Sequence, residues 1–146
     1  MEVMCISNIR TNKVALLIAY GCFLIALSSL KTTKTMLPII YQFEAALGGD
    51  KLMHLILSML LSLLALWALV PDLLKTFNLS FGRWLFLCFG VCLLLTFGLL
   101  VDELHQMFVR SRRFEWLDFA YGVGGIGIGF IIFTIINLPK LTHKYE

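Results

Sequence analysis

Read only for where its charges fall, the chain alternates between long apolar stretches and short polar clusters. Residues 14–30, 52–70, 84–101 and 119–138 contain no Asp, Glu, Lys or Arg. A helix crosses the hydrocarbon core of a bilayer with about 20 apolar residues, and a range of about 17–25 is tolerated. All four stretches have that length. None shows the strict alternation of a half-buried strand. The pattern predicts four membrane-spanning helices joined by short polar connections.

Composition supports this reading: 60% of the 146 residues are hydrophobic and 14% are charged, too apolar for a soluble core of this size. Residues 1–146 therefore make one all-α domain, a polytopic four-helix membrane bundle. Arg10 and Lys13 ahead of the first span resemble the start of a secretory signal. The apolar core is longer than a signal's, and LSSLKTTKT offers no small-x-small cleavage site, so a retained helix is expected. The net charge of +3 comes without a polybasic run, which argues against a nucleic-acid partner. Cys5, Cys22, Cys88 and Cys92 read as small buried apolar residues. Cys88 and Cys92 lie one helical turn apart, but no His or carboxylate is near them in sequence. No resident metal or cofactor is expected.

Four spans return the chain to the side from which it started. Both termini then share one side, and the first and third connections share the other. Pro71 is expected to stop the second helix, because proline cannot donate the interior N–H. Asn78 and Gly82 mark the middle connection as a turn. Orientation is tied: Lys31, Lys34, Lys51, Arg110, Arg112 and Arg113 lie on one side, and Arg10, Lys13, Lys75, Arg83, Lys140 and Lys144 on the other. Discounting the first group as functional places the termini in the cytoplasm.

Parity brings together two polar clusters, DKLMH at 50–54 and DELHQMFVRSRRFEWLD at 102–118. Asp50, Lys51 and His54 share the opening face of the second helix, and Ser58 and Ser62 continue that stripe inward. Asp50 and Lys51 suit an interfacial cap and a snorkelling amine. His54 lies a turn inside the span, where ionisable groups usually face a bundle interior or a watery cavity. If the third helix continues past its apolar stretch, Glu103, Gln106 and Arg110 fall within an arc of about 60°. His105 points away from that arc. Arg112 and Arg113 follow in a loop, and Asp118 opens the fourth helix. That helix carries GVGGIGIG, with Gly122, Gly125 and Gly129 on one face, which suits close helix packing in lipid.

These residues resemble the VanZ-like family. The resemblance rests on D-K-x-x-H at Asp50, Lys51 and His54, on E-x-x-Q at Glu103 and Gln106, on Arg112, on Asp118, and on Gly125 and Gly129. It covers about residues 14–138. Where the family often has Pro-Gly before the arginine, this chain has Arg110 and Ser111. Where the family often has Asn after the aspartate, it has Gly122. The resemblance implies a bacterial envelope protein of the inner (cytoplasmic) membrane, tied through the founding member to teicoplanin resistance.

Three functions are weighed. In the first, Asp50, Lys51, His54, Glu103, Gln106, Arg112, Arg113 and Asp118 bind the headgroup of an anionic amphiphile, a phospholipid or lipid-linked envelope precursor. Arginine supplies bidentate donors for phosphate. In the second, an enzyme acts on such a headgroup with His54 and Glu103 as acid and base, or with Asp50, His54 and Glu103 as N/O metal ligands. In the third, the protein is a structural bundle or an assembly partner without a ligand, and the charges staple helix ends together.

Overall fold

The computed structural model describes residues 2–33, 36–77, 81–108 and 115–145, and side chains within 11–33, 36–70, 81–108 and 115–138. The described chain is entirely helical: α1 (Glu2–Thr32), α2 (Leu37–Ala46), α3 (Asp50–Phe77), α4 (Phe81–Gln106) and α5 (Trp116–Tyr145). Four of these are long and apolar enough to cross a membrane, over Thr11–Thr32, Asp50–Val70, Phe81–Gln106 and Trp116–Leu138. The protein is thus a multi-pass membrane protein with an all-α bundle. Each span contains the apolar stretch read from the sequence and extends it by a few polar residues.

Helix α2 is the element the charge pattern did not reveal. It has ten residues, LPIIYQFEAA, and lies inside what reads as a simple connection. Pro38 sits at its start, where the missing N–H is no loss. Met36 precedes it in the left-handed region, at φ 59°. Its end is set by Gly48 and Gly49, at φ 88° and 107°, values that glycine adopts without a Cβ clash. The Gly49 N–H donates to the Glu44 carbonyl at 2.7 Å, and the Gly49 carbonyl accepts from Met53 at 3.0 Å, so one turn closes α2 and opens α3.

Two expectations about helix ends are corrected. Pro71 does not stop α3, which runs on to Phe77. A proline removes one intrahelical hydrogen bond, a local loss that a helix of 28 residues absorbs. Gly82 is not in a turn but in the first turn of α4, where its N–H needs no intrahelical partner. Asn78 lies outside the described residues.

The most intimate pairing is α3 with α5. Gly125 lies against the α3 backbone: a Cβ there would strike the Leu55 carbonyl oxygen and stand 3.0 Å from the Met59 nitrogen. At Gly129 it would strike the Ser62 hydroxyl and approach the Met59 carbonyl oxygen to 2.8 Å, and at Gly122 it would meet Leu99 Cδ1 at 2.9 Å. Gly124 and Gly127, on the other faces of α5, have open space. The glycine face read from the sequence is a seam of backbone contact. In lipid no hydrophobic force draws helices together, so such contact and its dispersion energy set the pairing.

Towards the far end, Leu66, Val70, Trp84, Cys88, Cys92, Ile126 and Phe133 form a buried cluster. Trp84 stacks on Phe133 with ring centroids 6.1 Å apart. Cys88 and Cys92 fill space there, as small apolar residues do. Helix α1 packs on the outside of α3. The Tyr20 hydroxyl donates to the Leu57 carbonyl at 3.0 Å, and Lys13 Nζ stands 4.6 Å from the centre of the Trp67 ring.

Candidate functional site at the polar end of the bundle

Cross-helix polar contacts gather four helix ends. Ser28 near the end of α1 donates to Asp102 near the end of α4 at 3.3 Å. Lys31 reaches Asp50 at the start of α3, 2.6 Å away. Lys51 reaches Glu115 at 3.5 Å and Asp118 at 3.9 Å, both at the start of α5. The 50–54 and 102–118 clusters therefore meet at one end of the bundle, as the parity of four spans requires.

Lys31 is the hub on one side. Its Nζ lies 2.7 Å from Glu44 Oε1 and 2.6 Å from Asp50 Oδ1, so one ammonium ties α1, α2 and α3. Glu44 is buried beside Ile40 on the inner face of α2. Asp50 is therefore more than the helix cap its position suggested. It also faces His54, whose Nε2 stands 3.6 Å from Asp50 Oδ1 one turn further on. Lys51, Glu115 and Asp118 form the second side of the same end.

Glu103 and Gln106 are both buried on the last turns of α4, as the stripe required. The Gln106 amide nitrogen donates to Asp102 Oδ2 at 3.3 Å and to Glu103 Oε1 at 3.4 Å. His105 is exposed, in keeping with its direction on the helix. Ser58 and Ser62 are buried, but they serve the seam: both face glycines of α5, and the Ser62 hydroxyl donates to the Met59 carbonyl at 2.9 Å. The stripe below His54 is thus a packing surface as much as a polar one.

The deepest acid is Asp118, 9% exposed. Its Oδ1 is sealed from solvent and accepts no hydrogen bond among the described residues. The nearest ammonium, Lys51 at 3.9 Å, is beyond hydrogen-bond length. Asp118 joins Asp50 and His54 in a group whose candidate ligand atoms all lie within 4.8 Å of one another. The set weighed from the sequence paired Asp50 and His54 with Glu103, whereas this group pairs them with Asp118. Glu103 Oε1 accepts from Gln106 on its own helix.

Arg110, Arg112 and Arg113 lie outside the described residues. Lys31, Glu44 and Glu115 are the participants sequence reasoning missed. Glu44 carried a signal, as a lone carboxylate in an otherwise apolar and amide decapeptide. Lys31 entered only the count of charges and Glu115 was not singled out, because nothing in their local pattern distinguished them. Among the described residues this end holds six carboxylates (Glu44, Asp50, Asp102, Glu103, Glu115, Asp118) and two ammonium groups (Lys31, Lys51).

Beside the cluster a cleft of about 100 Å³ runs between α1, α3 and α4. Leu24, Leu27, Leu57, Leu61 and Leu99 make its walls, and Lys31, His54 and Asp102 also line it. The arrangement offers an apolar slot with a charged head, an imidazole beside a carboxylate, and an excess of acidic oxygen. No family model, curated protein or solved structure matches the chain.

Proposed function

We propose that the polar end of the bundle binds the phosphate-bearing headgroup of an anionic amphiphile, with part of its hydrocarbon chain in the adjoining cleft. The cleft carries the reading: it combines leucine walls with Lys31 and His54 among its lining residues. A purely apolar groove would serve any lipid tail, and a purely charged one would serve any ion. The combination selects a molecule that has both parts.

The described residues at this end are acidic in excess, so an anionic headgroup needs further positive charge. Arg112 and Arg113 are the residues that supply it in this reading, since a guanidinium can hold two phosphate oxygens at once. The phosphate can belong to a phospholipid or to a lipid-linked envelope precursor. Read with the resemblance, this makes the chain a VanZ-like protein of a bacterial inner membrane with cytoplasmic termini, and a link to teicoplanin tolerance follows from the same family.

A competing reading is a staple. The Lys31 contacts at 2.6 and 2.7 Å favour it, because they join three helices without any ligand. One experiment separates the two. Purified, delipidated protein is offered phosphatidic acid, a polyprenyl phosphate or phosphatidylcholine, and retained lipid is counted by native mass spectrometry. The parent retains a phosphate-monoester lipid over phosphatidylcholine, and the two anionic probes distinguish the sources of phosphate. Arg112→Lys weakens that retention about tenfold, the equivalent of one charge-assisted hydrogen bond, with an unchanged melting temperature. Equal retention by parent and variant defeats the bidentate contact. A joint fall in retention and stability favours the staple.

A further inference from the structure

We infer that Asp50, His54 and Asp118 form a binding site for a divalent transition-metal ion of the Zn²⁺ or Mn²⁺ kind. This does not depend on the amphiphile: it shares His54 with the cleft but needs neither a bound lipid nor an arginine.

The first observation is the donor set. One imidazole and two carboxylates lie with their ligand atoms within 4.8 Å of one another. Ligands about 2.1 Å from a common ion sit roughly 3 to 3.5 Å apart in tetrahedral or octahedral geometry. His54 Nε2 and Asp50 Oδ1, at 3.6 Å, are already near that spacing. Imidazole nitrogen selects transition ions over Mg²⁺ and Ca²⁺, which take oxygen ligands. Three protein donors leave coordination positions for water or a substrate oxygen, as in catalytic rather than structural zinc sites.

The second observation is Asp118 itself. A carboxylate that is 9% exposed is expensive to bury when one oxygen, Oδ1, is sealed from water with no hydrogen-bond donor to it among the described residues and an ammonium no nearer than 3.9 Å. Asp118 faces Asp50 and His54, so a cation among the three supplies the missing partner. The surroundings agree in sign. Among the described residues carboxylates outnumber ammonium groups at this end, an excess that a divalent ion reduces. Asp50 can serve Lys31 and an ion together, because a carboxylate offers about four lone-pair sites.

The third observation is rigidity. His54 and Asp118 come from different helices, which a metal site tolerates only if their spacing is fixed. Gly122, one turn beyond Asp118, and Ser58, one turn beyond His54, stand opposite each other: a Cβ on Gly122 would lie 3.4 Å from Ser58 Oγ. Gly125 against Leu55 locks the next turn. The seam between α3 and α5 thus holds the ligands in register before any ion arrives.

The test uses the full chain, purified in detergent, delipidated and stripped with EDTA. Zn²⁺ is titrated in competition with a chromophoric chelator, Mn²⁺ is followed by loss of its free-ion EPR signal, and thermal unfolding is recorded with and without metal. The parent binds one equivalent and unfolds at higher temperature with metal. Asp118→Asn and His54→Ala each weaken binding by about tenfold or more, while His105→Ala leaves it unchanged. In EDTA, Asp118→Asn unfolds at the same or a higher temperature than the parent, because a buried charge has gone. The inference is overturned if the parent binds neither ion, or if either ligand variant binds as tightly as the parent. It is also overturned if Asp118→Asn is destabilised in EDTA and the parent shows no shift with metal, since Asp118 then serves a protein cation. Should Asp118→Asn fail to fold, His54→Ala against His105→Ala decides the matter.

Discussion

Helices α3 and α5 touch in two regions that are built on opposite principles. Along the seam, Gly125 and Gly129 lie against the backbone of Leu55 and Met59 and the Ser62 side chain, while Gly122 faces the side chains of Leu99 and Ser58. At their starts, less than three turns away, the same two helices meet through Lys51, Glu115 and Asp118 at 3.5 to 3.9 Å. The seam works by shape, and its energy comes from atoms in contact. The polar end works by charge, at separations that leave room for rearrangement or for another group. A volume change should therefore be severe in one region and mild in the other, and a charge change the reverse.

The sharpest way to break that comparison is to fill the seam. Gly125→Leu places a side chain where even a Cβ collides with the Leu55 carbonyl oxygen, and the obstacle is backbone, which cannot turn aside. The expected loss is about 3 kcal/mol or more, at the top of the range for overpacking, read as a large fall in detergent melting temperature. Gly127→Ala is the matched control. Open space surrounds Gly127, and replacing a helical glycine there raises stability by up to about 1 kcal/mol. Equal effects at the two positions would remove the seam from the account.

Next in size is the loss of charge at the hub. Lys31→Met keeps most of the side-chain volume but leaves Glu44 and Asp50 without their shared ammonium. Breaking a fully buried pair costs about 3–5 kcal/mol. Lys31, with a side chain 19% exposed, and the more exposed Asp50 at 36% reduce that to roughly 2 kcal/mol once solvent screening is allowed for. Adding Glu44→Gln to Lys31→Met should recover part of the loss. A double variant no more stable than the single one would mean that Glu44 is held by something else.

The smallest effect belongs to Lys51. Its side chain is 41% exposed, and its carboxylate partners stand at 3.5 and 3.9 Å, beyond strong hydrogen-bond range. Lys51→Met should change the melting temperature little, because exposed ion pairs are worth about 0–1 kcal/mol. The same variant removes a cation beside Asp118 and should tighten Zn²⁺ or Mn²⁺ binding if that carboxylate is a ligand. A large loss of stability at Lys51 would show that the polar end is a staple after all.

The four spans, their parity and the glycine face were all legible in the order of residues. Each depends on a constraint that acts along a single helix. Lipid demands about 20 apolar residues in a row, an even number of crossings returns the chain to one side, and helical periodicity puts Gly122, Gly125 and Gly129 on one face. The burial of Glu103 and Gln106 followed from the same periodicity. Helix α2 was not legible. Ten residues between two spans carry too little pattern to stand out, although Pro38 ahead of it and Gly48-Gly49 behind it punctuate both ends.

What the tertiary structure alone decided is which polar faces look at one another. Sequence spacing paired Asp50 with His54 on one helix, but it had no means of choosing between Glu103 of α4 and Asp118 of α5 as their third companion. That choice depends on how each helix is rotated about its own axis. In water a hydrophobic stripe would set that rotation, whereas in lipid every apolar face is equally satisfied. Here the close approach of glycine backbone to the Leu55 and Met59 backbone of α3 favours one rotation. That seam turns Asp118 towards His54, and Lys31 and Glu44 take their places around Asp50.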